Sequence, residues 1–451
     1  MKKLLLIFFC LPLLSFGQTD FSWKYTGGIS GFTFGSIALS DVDNDGDDDV
    51  LISGYNYNND PITELYLNDS LGNFNLVSGT PFYGVYGSTI AFSDVDNDGD
   101  EDVLISGVNS SFVSITKLYL NNGLGSFTLV NGTSFTGVHV GSIGFSDVDN
   151  DGDEDVLITG LLINSIGISE LYLNDGLGNF TLVSGTPFTG VRISSSVFFD
   201  VDNDGDEDVL ISGSTIFGTT NSPISELYLN DGLGNFTLDS ITPFTRRYIA
   251  VSDIDNDGDI DVLKVGSGNG AELYKNDGLG NFTLVSGTSF VGGSTIDFSD
   301  IDNDGDEDVL ITGASSKLYV NDGLGNFTLV SGTSFVSVNS SSCAFSDIDN
   351  DGDKDVFITG YSSSHGYRVS YLYLNDYFLS GCTDSTANNF NPLAITNDGS
   401  CDYATSIIEI GSNKTLLKII NILGQESNPK KNTPLFYIYD DGTVEKRIVI
   451  E

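Results

Sequence analysis

Nine residues, Asp41-Val-Asp-Asn-Asp-Gly-Asp-Asp-Asp49, place six carboxylates in one short turn. Carboxylates at alternate positions of a tight loop converge on one point, and hard oxygen ligands in that number suit a calcium ion, which takes six to eight. The spacing assigns Asp41, Asp43, Asp45 and Asp49 as side-chain ligands and Asp47 as a ligand through its main-chain carbonyl, with Gly46 permitting the sharp turn. Without a cation the acids would repel one another. The pattern opens like an EF-hand but lacks Glu at position twelve, and β-type residues follow it at once.

The motif occurs seven times, starting at Asp41, Asp94, Asp147, Asp200, Asp253, Asp300 and Asp347, at intervals of 53 and then 47 residues. The corresponding ligands are Asp94, Asp96, Asp98, Asp100 and Asp102 in the second loop, and Asp147, Asp149, Asp151, Asp153 and Asp155 in the third. They are Asp200, Asp202, Asp204, Asp206 and Asp208 in the fourth, and Asp253, Asp255, Asp257, Asp259 and Asp261 in the fifth. Asp300, Asp302, Asp304, Asp306 and Asp308 follow in the sixth, and Asp347, Asp349, Asp351, Asp353 and Asp355 in the seventh. Seven structural calcium ions are therefore expected.

The elements that must position these loops are short strands. In the third repeat Ser142 to Ser146 leads into the loop and Asp155 to Thr159 leads out. Glu170 to Asn174 and Phe180 to Ser184 then flank Asp175-Gly-Leu-Gly-Asn179, whose Gly and Asn residues supply positive φ for a hairpin. Four antiparallel strands per unit of this length predict a propeller blade, so the expected fold is all-β, a seven-bladed β-propeller over 18–379. The seventh unit lacks a fourth strand after Tyr371 to Asn375. Phe21 precedes Asp41 by the 20 residues that separate Phe74, Phe127 and Phe180 from their next loops. Phe21 to Tyr25 is thus expected to complete the last blade and close the ring, leaving no open-ended array.

The loop resembles those of the FG-GAP and VCBS repeat family, including integrin α-chain propellers, and Leu171 to Phe180 resembles the VCBS hairpin. The resemblance spans about Phe21 to Leu379 and implies a calcium-binding propeller without specifying a ligand.

Residues 1–17 read as a signal peptide: Lys2 and Lys3, an apolar stretch from Leu4 to Leu14, and the small residues Ser15 and Gly17. Cys382 and Cys401 bracket a polar loop and are expected to form a disulfide within a linker module, 380–404, while Cys343 reads as a buried thiol. Residues 405–451 resemble the type A sorting domain of the type IX secretion system, read physically as a small β-sandwich. That implies passage through this machinery to the medium or the outer cell surface.

A net charge of -45, from 63 acidic and 18 basic residues, disfavours nucleic acid and anionic membranes as partners. After signal removal no segment is apolar enough to cross a membrane, and a monomer is expected. The two histidines, His139 and His365, fall at unrelated repeat positions, so no triad or zinc site is legible and no enzyme is expected. The leading expectation is a binding or adhesion module for a glycan or protein. A propeller-type polysaccharide lyase or hydrolase and a purely structural surface protein are the alternatives. The connections between second and third strands vary in length, and variable loops on a rigid scaffold are where binding resides. The ligand-binding expectation therefore falls on Tyr55 and Tyr57, with Arg246 and Tyr248 in an inter-blade link.

Overall fold

The computed structural model describes residues 21–24, 28–217, 220–239, 248–266, 270–375, 380–387, 396–397, 400–401, 403 and 414–448. The signal segment, Arg246 and Arg247 lie outside them. The chain divides into two compact units, Met1–Ser380 and Gly381–Glu451.

The first unit is all-β, and its repeats fold alike. The third repeat forms His139–Ser146, Asp155–Leu161, Gly167–Leu173 and Thr181–Leu182, paired antiparallel in that order. Six such sets follow one another along the chain among the described residues, the first two joined by a single bridge, Ile62 to Val85. The last sheet takes its first three strands from Asn339–Ser346, Asp355–Ser362 and Tyr367–Asn375. Its fourth is Phe21–Lys24, whose Phe21 pairs with Asn375 and Trp23 with Tyr373.

The second strand of each sheet is buried on both faces, which explains its unbroken apolar run: Val156, Leu157 and Ile158 are fully buried. The core lies between sheets. Val95, Leu104 and Leu118 of the second sheet pack with Ile143, Val156 and Tyr172 of the third. At the junction of first and last sheets, Phe32, Val50 and Tyr66 meet Ile348, Phe357 and Leu372. A phenylalanine just before the first strand of such a sheet stacks edge-on against that sheet's third-strand tyrosine and beside its fourth-strand phenylalanine: Phe135 lies 5.0 Å from Tyr172 and 5.1 Å from Phe180. In the last sheet Phe335 lies 5.0 Å from both Tyr373 and Phe21, so Phe21 fills the fourth-strand place.

In the second unit, Leu416–Ile420, Leu435–Tyr439 and Val444–Arg447 form a three-stranded antiparallel sheet over Leu435, Tyr437 and Tyr439. A disulfide joins Cys382 to Cys401. No helix among the described residues is long and apolar enough to cross a membrane.

Candidate functional site

Each acidic loop is held by its own backbone. In the third, the Asp151 and Gly152 N–H groups donate to the two oxygens of Asp147 at 3.0 and 2.9 Å. Both oxygens of Asp155 are also engaged, accepting from Val148 N at 3.2 Å and from Asn174 N, across the sheet, at 2.8 Å. These bonds repeat in the other loops. They fix position one and position nine of the motif against the turn, while Gly152 at φ 94° makes the turn possible. The loop is preorganised by N–H donors before any ion enters.

The donor set fits a hard cation. Ligand oxygens of Asp147, Asp149 and Asp155 lie within 4.8 Å of one another, as do those of Asp94, Asp96 and Asp102, of Asp200, Asp202 and Asp208, and of Asp253, Asp255 and Asp261. In the first loop the grouped residues are Asp41, Asp43 and Asp45. At position three one oxygen is buried with no hydrogen-bond partner: Oδ1 of Asp43, Asp96, Asp149, Asp202, Asp255 and Asp302. Leaving a buried carboxylate oxygen unsatisfied costs about 1–3 kcal/mol or more, so the same orphan in six loops marks a place for a cation.

The electrostatics agree. Burial pushes the position-nine acids Asp49, Asp102, Asp155, Asp208 and Asp261 up to about 7, and Asp308 and Asp355 to about 8. Those values already combine burial, the largest cause, with the raising effect of neighbouring loop acids and the lowering effect of the two N–H donors. Asp149 is raised as well, by burial and then by Asp151 and Asp147. These are carboxylates short of positive charge.

Two asparagines per repeat, not singled out by the sequence reading, bind neighbouring sheets together. The Asn at position four has a left-handed backbone in all seven loops, φ 56–59°. In the first five loops its side chain donates to the position-seven carboxylate of the following loop, as from Asn97 to Asp153 at 2.8 Å and from Asn150 to Asp206 at 2.9 Å, whereas Asn350 of the seventh donates to the Gly46 carbonyl at 3.4 Å. The Asn ending each third strand donates through Nδ2 to the position-two carbonyl of the preceding loop. The bond runs from Asn174 to Val95, and from Asn68 of the first sheet to Ile348 of the last, both at 2.8 Å. The signal was present in the sequence as two Asn positions that never vary among the repeats.

The fifth loop differs from its siblings. Lys275, where other repeats carry Leu or Val, places Nζ 2.5 Å from Asp255 Oδ2 and so brings its own cation. Asp253, Asp255 and Asp261 keep the grouping seen in the second, third and fourth loops, with Asp255 Oδ2 paired to the ammonium and Oδ1 still without a partner.

Of the four residues assigned to ligand binding, the three described ones are not all brought together. Tyr55 ends the second strand of the first sheet and stacks on Tyr86 at 4.2 Å, half-buried, so it is a packing residue more than a free contact. Tyr57, beside it, is 80% exposed. Tyr248 opens the first strand of the fifth sheet, paired with Val265 and half-buried; Arg246 is outside the described residues. Cys343 is packed near Thr295, and burial pushes its thiol up to about 12. His139 is held by Ser114 at 2.9 Å, and burial lowers its pKa.

The FG-GAP-like repeat family matches the chain over residues 41–105, 94–158, 147–211, 253–311 and 300–358. No curated protein matches it. Among solved structures, BBS1N in complex with ARL6DN is similar at 12% identity and TM-score 0.46, over 79% of this chain and 97% of that one. A Penicillium chrysogenum α-L-arabinanase is similar at 12% identity and TM-score 0.43, over 77% and 98%. The six-bladed β-propeller lectin of Aleuria aurantia is similar at 10% identity and TM-score 0.38, over 64% and 92%. Likeness at this level concerns fold alone.

Proposed function

The chain belongs to the FG-GAP-like repeat family, and from that premise we propose that it is an exported, seven-bladed propeller pinned by calcium that acts as a binding or adhesion module for a glycan or protein. Asp at positions one, three, five and nine would hold each ion with the position-seven carbonyl. The ion supplies charge neutralisation and cross-linking, and no chemistry on a substrate.

One observation carries the binding reading: the repeat is constant on one side and irregular on the other. The acidic loops keep the same hydrogen bonds from sheet to sheet. The strands that run away from them do not keep their length. Asp208–Phe217 and Thr220–Leu229 have ten residues each, whereas Asp261–Val265 and Ala271–Lys275 have five. Tyr57 and Phe112, 80% and 71% exposed, stand at the far ends of such hairpins. A scaffold that varies at one edge while its metal loops stay fixed is built to present that edge.

We read the protein as a binder and not a catalyst, since backbone N–H groups and the inferred ion occupy the loop carboxylates that could otherwise form an acid–base pair. The signal segment, the sorting-type C-terminal region and the disulfide support export through the type IX machinery. The test is a glycan array probed with the mature protein in calcium and again in chelator. Calcium-dependent binding to a defined class supports the reading. Turnover of a bound polysaccharide would overturn it in favour of a lyase or hydrolase.

A further inference from the structure

The seventh sheet departs from the repeat in a place the metal loops do not explain. Trp23 lies opposite Tyr373, where the other six sheets put a leucine opposite the equivalent tyrosine, as Leu182 opposite Tyr172. One strand over, Tyr371 faces Ile358 at the position where the others carry Glu or Lys, as Glu170 facing Ile158. The two departures touch: the rings meet edge-on with centroids 5.6 Å apart, and Trp23 remains 54% exposed. His365 joins them, 6.3 Å from Tyr371, its ring oriented by a 2.9 Å hydrogen bond between Nδ1 and Ser362 Oγ. Three changes from the repeat have produced one aromatic wall.

A cleft opens on each side of that wall. One, of about 500 Å³, is completed by Ser334, Ser337, Ser364 and His365; the other, of about 290 Å³, by Tyr367, Arg368 and Ser370. Neither is lined by a carboxylate, in a chain that has 63 acidic residues. The lining is ring faces and hydroxyls with an imidazole and, in the smaller cleft, the Arg368 guanidinium, whose two terminal nitrogens are already engaged by the Asn56 carbonyl and Asn59 Oδ1. A cationic ligand would find no counter-charge there, and an anionic one would approach against a net charge of -45.

We propose that the Trp23–Tyr371 wall and its two clefts form a binding site for a neutral saccharide. The C–H faces of a pyranose or furanose would lie on the exposed indole and phenol, and its hydroxyls would bond to the serines and to His365 Nε2. The size of the larger cleft suits a small ligand or the end of an oligosaccharide. This inference rests on the binding-module reading and gives it a location at the edge of the last sheet, where Arg368 of the smaller cleft holds Asn56 and Asn59 on either side of Tyr57.

Trp23 is the chain's only tryptophan, so its emission reports on this site alone. The full mature chain in calcium is titrated with cellohexaose, xylohexaose, mannohexaose and arabinohexaose, with oligogalacturonate as the acidic comparison. At least one neutral oligosaccharide should give a saturable emission shift, and oligogalacturonate none. The variants W23L and Y371E restore residues the other sheets carry, so both should keep the parent melting temperature. Each should lower saccharide affinity at least tenfold by calorimetry. Affinity unchanged in both variants, or an emission response to a protein and to none of the sugars, overturns the site. Array binding that survives both changes but is lost in a Y57A/F112A variant also overturns it while keeping the binding-module reading. A chain that binds no glycan at all removes the site and the glycan half of that reading together.

Discussion

Asn174 shows how much one side chain of this repeat does. Its main-chain N–H donates to Asp155, and its Nδ2 crosses to the carbonyl of Val95 in the preceding sheet. Asn174→Ala keeps the first bond but removes two side-chain bonds, Nδ2 to the Val95 carbonyl, which retains the Gly178 N–H, and Oδ1 from the Asp175 N–H. The expected loss is about 1–3 kcal/mol of stability, measured by urea unfolding in saturating calcium. Lys275 makes the opposite kind of prediction. Its ammonium occupies Asp255, so the fifth loop should be the weakest of the seven for calcium. Lys275→Leu should add a tighter site in a calorimetric titration, and an unchanged isotherm would show that the lysine swings clear when the ion arrives.

The buried position-nine acids set a pH dependence whose sign follows from their shift. Each is raised in the folded chain, from an ordinary value of 3.8 to about 7 in five loops and about 8 in two, by burial. A raised carboxyl favours the fold while it is protonated. Its contribution is therefore complete below about pH 4 and is lost as pH rises through 7 to 8. Calcium-free protein should melt at progressively lower temperature across that window. Calcium needs the carboxylate form, so its stabilising effect should grow over the same range. A flat melting temperature between pH 4 and 8 without calcium would show that these groups ionise freely.

Among elements, Phe21–Lys24 has the largest leverage for its length. Four residues supply the last sheet with its outer strand, and Phe21 supplies the ring that Phe335 and Tyr373 pack against. Removing residues 18–26 exposes the edge of Tyr367–Asn375 and opens that cluster. Truncation after residue 406 touches only the second compact unit. The first deletion should lower the melting temperature of the repeat domain by many degrees and promote association through the bared edge. The second should leave it within about 2 °C, since it removes no residue of the repeat unit. Similar losses from the two would refute the role given to the strand.

For the molecule as a whole, charge and metal are one problem. A chain at -45 that folds its acids into adjacent turns is self-repelling unless cations are bound. Ions that bind only the folded chain stabilise by mass action, about 2.7 kcal/mol per site at a hundredfold excess over Kd. Chelation should lower the melting temperature markedly, most at low ionic strength where repulsion is least screened. A melting curve indifferent to verified calcium removal would falsify the proposal that the metal is structural.

The repeat, its strands and the grouping of its loop acids were legible in the sequence because each depends on local rules: alternation, turn residues, and acids spaced within nine positions. Even the partner of the last three strands could be read, since Phe21 stands at the repeat's own distance from Asp41. The tertiary structure decided what depends on neighbours distant in the chain. It showed Asn44, Asn97 and their equivalents reaching the next loop, Lys275 folding onto Asp255, and Tyr55 spent on Tyr86. It also brought Trp23 and Tyr371, at opposite ends of the propeller sequence, into one wall. Strand pairing and burial create these encounters, and neither is a property of any short stretch of sequence.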